Sequence, residues 1–142
     1  MRKLLFAFGF ISVLLAGCDV ESSDNGDLDG FWILERVDSL SNNAVCDYSD
    51  YHVSWSFQYK LLQLSNGYDK TIVCQFEKDN DRLSLKNPCI FDRTWGDTPV
   101  TDVEILKPYG INSINENFKV KSLNSEDMVL ESSVLRLYLK KH

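Results

Sequence analysis

Apolar and polar residues alternate along most of the chain after position 30, which is typical of β-strands that bury one face. The clearest run covers residues 53–61, where every second residue is apolar. A helix would scatter these apolar residues around its circumference. The pattern therefore predicts about six or seven strands joined mostly by turns. The other alternating runs are residues 72–76, 83–85, 118–120, 128–130 and 135–139.

One segment departs from this period of two. Residues 99–108 lie between two prolines and carry apolar side chains at Val100, Val103, Ile105 and Leu106. This spacing predicts one short helix or helical turn. We therefore predict an all-β fold, an antiparallel meander that closes into a small β-barrel with one short helix; a small sandwich is the alternative.

The N-terminus has the pattern of an export signal. Arg2 and Lys3 precede an apolar run over residues 4–16, which is shorter than the roughly 20 residues that span a bilayer. The sequence Leu-Ala-Gly-Cys then ends at Cys18. These four residues resemble the bacterial lipoprotein lipobox, which implies a signal peptide over residues 1–17 and lipidation of Cys18 with fatty acyl chains such as palmitate. An ordinary secretory signal with an incidental Cys18 is the alternative.

Residues 18–29 are acidic and small, and they show no apolar periodicity. This composition predicts a solvated tether between a lipid anchor and a folded domain. We expect the protein in the bacterial cell envelope as a membrane-anchored lipoprotein. The outer membrane or the cell surface is favoured over the inner membrane.

The start and the end of the remaining chain, residues 30–142, resemble lipocalins. Gly30-Phe31-Trp32 is similar to their Gly-x-Trp signature, and the ending Leu-Arg-Leu-Tyr-Leu-Lys-Lys looks like the last strand of small lipocalin-like domains on bacterial lipoproteins. The resemblance implies that Trp32 plugs the closed end of the barrel beneath an arginine. Arg136 on the last strand and Arg36 on the first are the candidates.

Composition and motifs exclude several functions. The formal net charge is −6, so a clustered cationic face for nucleic acid is not expected. The chain has no G-x-S-x-G, H-E-x-x-H or phosphate-loop motif. Cys46 and His52 are able to bind a metal but have no second pair at zinc-site spacing. We expect neither an enzyme nor a bound cofactor or metal.

A set of aromatic residues is the first candidate for a ligand site, because ligand cavities are mainly apolar. Core packing is the alternative interpretation of the same set. Tyr48, Tyr51, Trp95 and Tyr109 fall in the long connections 39–52 and 92–113, where they would rim a mouth or pack down as lids. The predicted ligand-lining residues are Trp55, Phe57, Tyr59 and Phe76.

Three cysteines remain beside Cys18, and an exported protein meets an oxidising compartment. A Cys46–Cys74 disulfide is the first choice and Cys46–Cys89 the second. Three free thiols are the alternative, since the number is odd.

Two functions are consistent with this sequence. The first is a lipid-anchored, lipocalin-like envelope protein that binds a small, largely apolar ligand. The second is an interaction or inhibitor module of an envelope complex, with a filled core and a protein partner that the sequence does not identify. An exposed apolar patch near the long connections is expected for the second function.

Overall fold

A computed structural model describes residues 24–142 of the chain. The predicted signal peptide over residues 1–17, the lipidation site Cys18 and the tether up to residue 23 lie outside the described residues. The described part forms one antiparallel sheet of ten strands. The strands are β1 Gly30–Ser39, β2 Val45–Asp47, β3 Ser54–Gln58, β4 Leu61–Ser65, β5 Ile72–Asp79, β6 Arg82–Ile90, β7 Thr98–Pro99, β8 Asn117–Leu123, β9 Asp127–Glu131 and β10 Leu135–Lys141.

The sheet closes on itself as a barrel. Strands β1, β3, β4, β5, β6, β8, β9 and β10 follow one another in space, and β10 pairs with β1 from Trp32 opposite Lys141 to Ser39 opposite Leu135. The short strands β2 and β7 pair on the outside of this circuit, with β1 and β6. The predicted antiparallel meander and barrel are confirmed.

The long alternating run at 53–61 is two strands and not one. A tight turn at Tyr59 and Lys60 separates β3 from β4, and Tyr59 has a φ of 55°. The buried positions shift by one residue across the turn: Trp55 and Phe57 are buried on β3, whereas Leu62 and Leu64 are buried on β4 and Leu61 is 50% exposed. Such turns, together with the short strands β2 and β7, explain why ten strands form where six or seven were expected.

The predicted helical structure between residues 99 and 108 is confirmed as two 3₁₀ turns, Val103–Ile105 and Lys107–Tyr109. The Asp102 carboxylate accepts a hydrogen bond from the backbone N–H of Glu104 at the start of the first turn. Two further 3₁₀ turns are Gly26–Leu28 and Ser49–Tyr51. Between residues 24 and 142, no helix is long and apolar enough to cross a membrane.

The inward-facing side chains of the strands form one core. Trp55 packs edge-on against Phe118 with ring centroids 5.7 Å apart, and Phe57 packs edge-on against Phe76 at 5.1 Å. Edge-to-face aromatic pairs at these distances are a stable form of packing. Other buried members of the core are Leu34, Leu62, Leu64, Ile72, Leu83, Met128, Leu130, Leu137 and Leu139.

Trp32 is fully buried near the end of the barrel where β1 begins. Its indole N–H donates to the carbonyl oxygen of Leu28 at 2.9 Å, and Leu28 is itself fully buried. The folded domain therefore begins before Gly30. The predicted boundary at residue 29 placed Leu28 in the tether, because Leu28 is an isolated apolar residue in an acidic segment and gives no periodic signal.

The cation beside Trp32 is a lysine. The Nζ of Lys141 lies 4.9 Å from the Trp32 ring centroid and donates to the carbonyl oxygen of Asp27. Arg136 instead pairs with Glu131, and Arg36 pairs with Asp38. The prediction that an arginine lies beside Trp32 was therefore wrong. Arg36 and Arg136 both lie on outward positions, where each pairs with a carboxylate.

Replacing Trp32 by alanine should lower the free energy of unfolding by about 3–5 kcal/mol, since a buried aromatic ring and a buried hydrogen bond are lost together. Trp95→Ala is the matched control, because Trp95 is 88% exposed. A denaturant titration measures both variants, and the control should change by less than about 0.5 kcal/mol. Equal losses would show that Trp32 does not close the barrel.

Candidate ligand-binding cleft

A segment of the chain fills the barrel at the end opposite Trp32. In this plug, residues 100–116, the side chains of Leu106, Tyr109 and Ile111 are buried. The Trp55 indole N–H donates to the Tyr109 carbonyl oxygen at 3.1 Å, and the Tyr109 hydroxyl donates to the Lys70 carbonyl oxygen at 2.7 Å. Burial, with a smaller effect of the Asp69 carboxylate, raises the pKa of Tyr109 to about 12. The hydroxyl is therefore a neutral donor.

Gly110 allows the plug to approach the barrel wall. Its φ is +84°, and a Cβ built there would lie 2.9 Å from Cδ2 of Leu137 on β10. A side chain at this position would be strained by the backbone and would displace a buried leucine. Glycine at residue 110 is thus required both for the turn and for the close contact.

None of the three clefts described below is lined by a predicted ligand-lining residue. Trp55, Phe57 and Phe76 are buried against one another and against Phe118. Tyr59 lies in the turn after β3 with its side chain 47% exposed, so its predicted inward position was wrong. Core packing therefore accounts for Trp55, Phe57 and Phe76, and the inward positions of β3 end before Tyr59.

A cleft with a volume of about 420 Å³ lies outside the plug. It is formed by the loop between β2 and β3, by the loop between β4 and β5, and by the outer surface of the plug. We name it the tyrosine cleft, and its lining residues are Cys46, Tyr48, Asp50, Tyr51, Val53, Asn66, Tyr68, Asp69 and Pro108. Two smaller clefts of about 320 and 230 Å³ lie elsewhere on the surface.

Local hydrogen bonds shape the first wall of the tyrosine cleft. The Asp47 carboxylate accepts from both the hydroxyl and the backbone N–H of Ser49, and these bonds lower the pKa of Asp47. The turn that follows places Tyr48 and Tyr51 side by side, with ring centroids 5.0 Å apart and planes tilted by 53°. Burial raises the pKa of Tyr48, so its hydroxyl stays neutral at physiological pH.

The second wall is an Asn-centred turn. The Asn66 side-chain oxygen accepts from the backbone N–H groups of Tyr68 and Asp69, and its side-chain nitrogen donates to the Asp69 carboxylate. This turn holds Tyr68 with its side chain 85% exposed at the edge of the cleft. Sequence reasoning identified Tyr48 and Tyr51 as rim candidates but missed Tyr68. Its position directly after the Asn-Gly pair was the available signal.

Among residues 24–142 the cysteines form no disulfide: Cys46, Cys74 and Cys89 are all free. Cys46 is exposed on β2, whereas Cys74 is buried on β5, and three strands of the sheet lie between β2 and β5. The predicted Cys46–Cys74 and Cys46–Cys89 pairings were therefore wrong for this structure, and the alternative of three free thiols holds. Burial, with a smaller effect of Cys89, raises the pKa of the Cys74 thiol to about 12. Within residues 24–142 no cluster of three or more His, Cys, Asp or Glu side chains is arranged to hold a metal.

The comparison with known proteins identifies the family. A family model described as a lipocalin-like domain matches residues 13–142. The chain belongs to this lipocalin-like family. No curated protein matches the sequence.

Two solved structures share the lipocalin-like fold. A lipocalin-like protein from Bacteroides uniformis superposes with a TM-score of 0.62 at 19% identity, covering 82% of this chain and all (100%) of that one. An uncharacterized protein from Bacteroides eggerthii superposes with a TM-score of 0.55 at 14% identity, covering 80% of this chain and 98% of that one. At these identities the likeness shows the fold alone.

Gly110→Ala should destabilise the lipocalin-like domain by about 1–3 kcal/mol more than Gly96→Ala. Both glycines have a φ of +84°, but only Gly110 would place its Cβ against a neighbour within 4 Å. The difference between the two variants isolates the contact with Leu137 from the backbone strain. Thermal or denaturant unfolding measures it, and equal losses would place the plug away from β10.

Alkylation of the native protein should modify Cys46 first, because reactivity follows thiolate content and exposure. Cys74, buried with its pKa raised to about 12, should react only after unfolding. Peptide mass spectrometry after timed labelling with iodoacetamide distinguishes the sites, and Cys46→Ser should abolish the fast phase. A mass lower by two hydrogens in the unreduced protein, located at Cys46 and Cys74, would instead support the disulfide between them.

Proposed function

We propose that this protein is a lipid-anchored envelope protein whose lipocalin-like domain binds a small, largely apolar ligand in the tyrosine cleft and catalyses no reaction. The observation that carries the proposal is an aromatic cleft of about 420 Å³ on the outside of a barrel whose interior is packed. Its volume falls within the usual 300–1,000 Å³ of small-molecule sites. Loops that project from a rigid barrel are a common place for binding residues.

The position of the N-terminus supports an anchored arrangement. The Asn25 side-chain nitrogen donates to the Tyr59 carbonyl oxygen, and Lys141 holds the Asp27 carbonyl oxygen, so the chain enters at the Trp32 end. The tyrosine cleft lies beyond the opposite ends of β3 and β4. A lipidated Cys18, seven residues before Asn25, keeps the Trp32 end within roughly 25 Å of a membrane. The tyrosine cleft then lies at the end of the domain opposite the anchored end.

Ligand binding is tested with a neutral apolar fluorophore, N-phenyl-1-naphthylamine, titrated with the protein. Saturable binding is expected, and Tyr68→Ala should weaken it by about threefold to tenfold, because an aromatic contact is lost. Tyr59→Ala is the control, since Tyr59 is also a partly exposed tyrosine but lies at the opposite end. Absence of saturable binding, or equal effects of the two variants, would contradict a ligand site in the cleft.

The anchor is tested by intact-mass analysis of the protein extracted from the membranes of its native host. The expected chain begins at Cys18 and carries added acyl mass, and a Cys18→Ala variant should leave the membrane fraction. Protein that retains Met1 without acyl mass would refute the anchor while leaving the ligand site untouched.

An interaction module is the second candidate, and the packed core favours it. Trp95 is 88% exposed in the loop between β6 and β7, near the partly exposed Phe91. Exposed aromatic residues are enriched at protein interfaces. Crosslinking in native membranes should then recover a stoichiometric protein partner that Trp95→Ala loses. Recovery of no such partner would remove this candidate.

A further inference from the structure

We infer that the tyrosine cleft selects an organic cation, a substituted ammonium group carried on a small apolar body, over an anionic ligand of the same size. This inference rests on the proposed function, because it names the class of ligand for the same cleft. Three features of the cleft support it: the sign of its charges, the arrangement of its rings and the position of its apolar residues.

The charges that line the cleft are all negative. Asp50 and Asp69 contribute carboxylates, and the nine lining residues include no lysine, arginine or histidine. Asp47, at the base of the same loop, has a lowered pKa and is ionised at physiological pH. The chain as a whole carries a formal charge of −6, which adds to the same field. A carboxylate ligand would enter this cleft against repulsion and would find no basic partner on its walls.

The rings supply the second feature. Tyr48 and Tyr51 form a tilted pair on one wall, and Tyr68 stands on the other. The face of an aromatic ring carries partial negative charge and attracts an ammonium group within about 6 Å of its centroid. Aromatic rings from two loops line this cleft with carboxylates beside them, and aromatic cages are a known way for proteins to hold quaternary ammonium groups.

The apolar residues define the rest of the ligand. Val53 and Pro108 form the inner part of the lining, where the cleft meets the plug, while Asp50 and Tyr68 lie on the exposed loops. An apolar body packed against Val53 and Pro108 would leave its ammonium group among the tyrosine rings and carboxylates. A polar, fully hydrated cation such as a metal ion lacks that apolar body, so an amphiphilic amine fits the lining better.

The test compares two single-chain ligands of similar alkyl length and opposite charge: decyltrimethylammonium and decanoate, both below their micelle concentrations and in physiological salt. Isothermal titration should show that the cation binds at least about tenfold more tightly than the anion. Decyltrimethylammonium should also slow the alkylation of Cys46, which lines the cleft, whereas decanoate should not.

Asp50→Asn should weaken binding of decyltrimethylammonium by about threefold to tenfold and should weaken binding of the neutral naphthylamine by less, because the substitution removes the charge and keeps the size of the side chain. Glu126→Gln is the matched control. It removes one negative charge from an exposed site beside Lys141, at the Trp32 end. This control should alter neither affinity.

The outcomes separate the inference from the proposed function. If the naphthylamine binds in the cleft and decanoate binds as tightly as decyltrimethylammonium, the charge selectivity is wrong and the ligand site stands. If Asp50→Asn and Glu126→Gln weaken the cation equally, the attraction belongs to the whole protein and not to the cleft, and the inference is overturned. If none of the three probes saturates, both the inference and the ligand site are refuted.

Discussion

The Tyr109 side chain and backbone hold the structure of the barrel interior together. The Tyr109 carbonyl oxygen accepts from the Trp55 indole, and the Tyr109 hydroxyl donates to the Lys70 carbonyl oxygen, so the plug is bound to β3 and to the loop before β5. Polar groups that enter an apolar core without a partner are costly. These two hydrogen bonds remove that cost and allow residues 100–116 to occupy space that would otherwise be open. The interior of the barrel is therefore packed by residues 100–116.

Because the interior of the barrel is packed, the candidate ligand site lies on the surface. The plug presents Pro108 on its outer side, where the loops after β2 and β4 complete the tyrosine cleft. The strands therefore act as a rigid support, and the loops carry the residues that determine recognition. The residues that affect stability are therefore different from those proposed to affect binding. Trp32 and Gly110 lie in packed regions, whereas Tyr68 and Asp50 lie on exposed loops.

The fold was predictable because period-two alternation reports directly which side chains face the core. Trp55 and Phe57, or Ile72, Cys74 and Phe76, lie on one face whatever their partners are. The turn at Tyr59 was not predictable, since a non-glycine residue at a φ of 55° depends on tertiary contacts and lacks a local signal. The cation beside Trp32 depended on strand register, and β1 shifts its register between Leu34 and Arg36.

The site was harder to predict than the fold. Alternation distinguishes buried from exposed positions but does not say whether the space between buried side chains is empty, so Trp55, Phe57 and Phe76 were consistent with either a pocket or a core. The filling of the barrel depends on contacts between distant segments, such as Gly110 with Leu137.

The central claim of this account is that the interior of the barrel is packed. A crystal of the protein pressurised with xenon tests this claim directly, because xenon enters dry apolar cavities. We predict no xenon among Trp55, Phe57 and Phe76; an ordered xenon site enclosed by these three rings would contradict the packed interior.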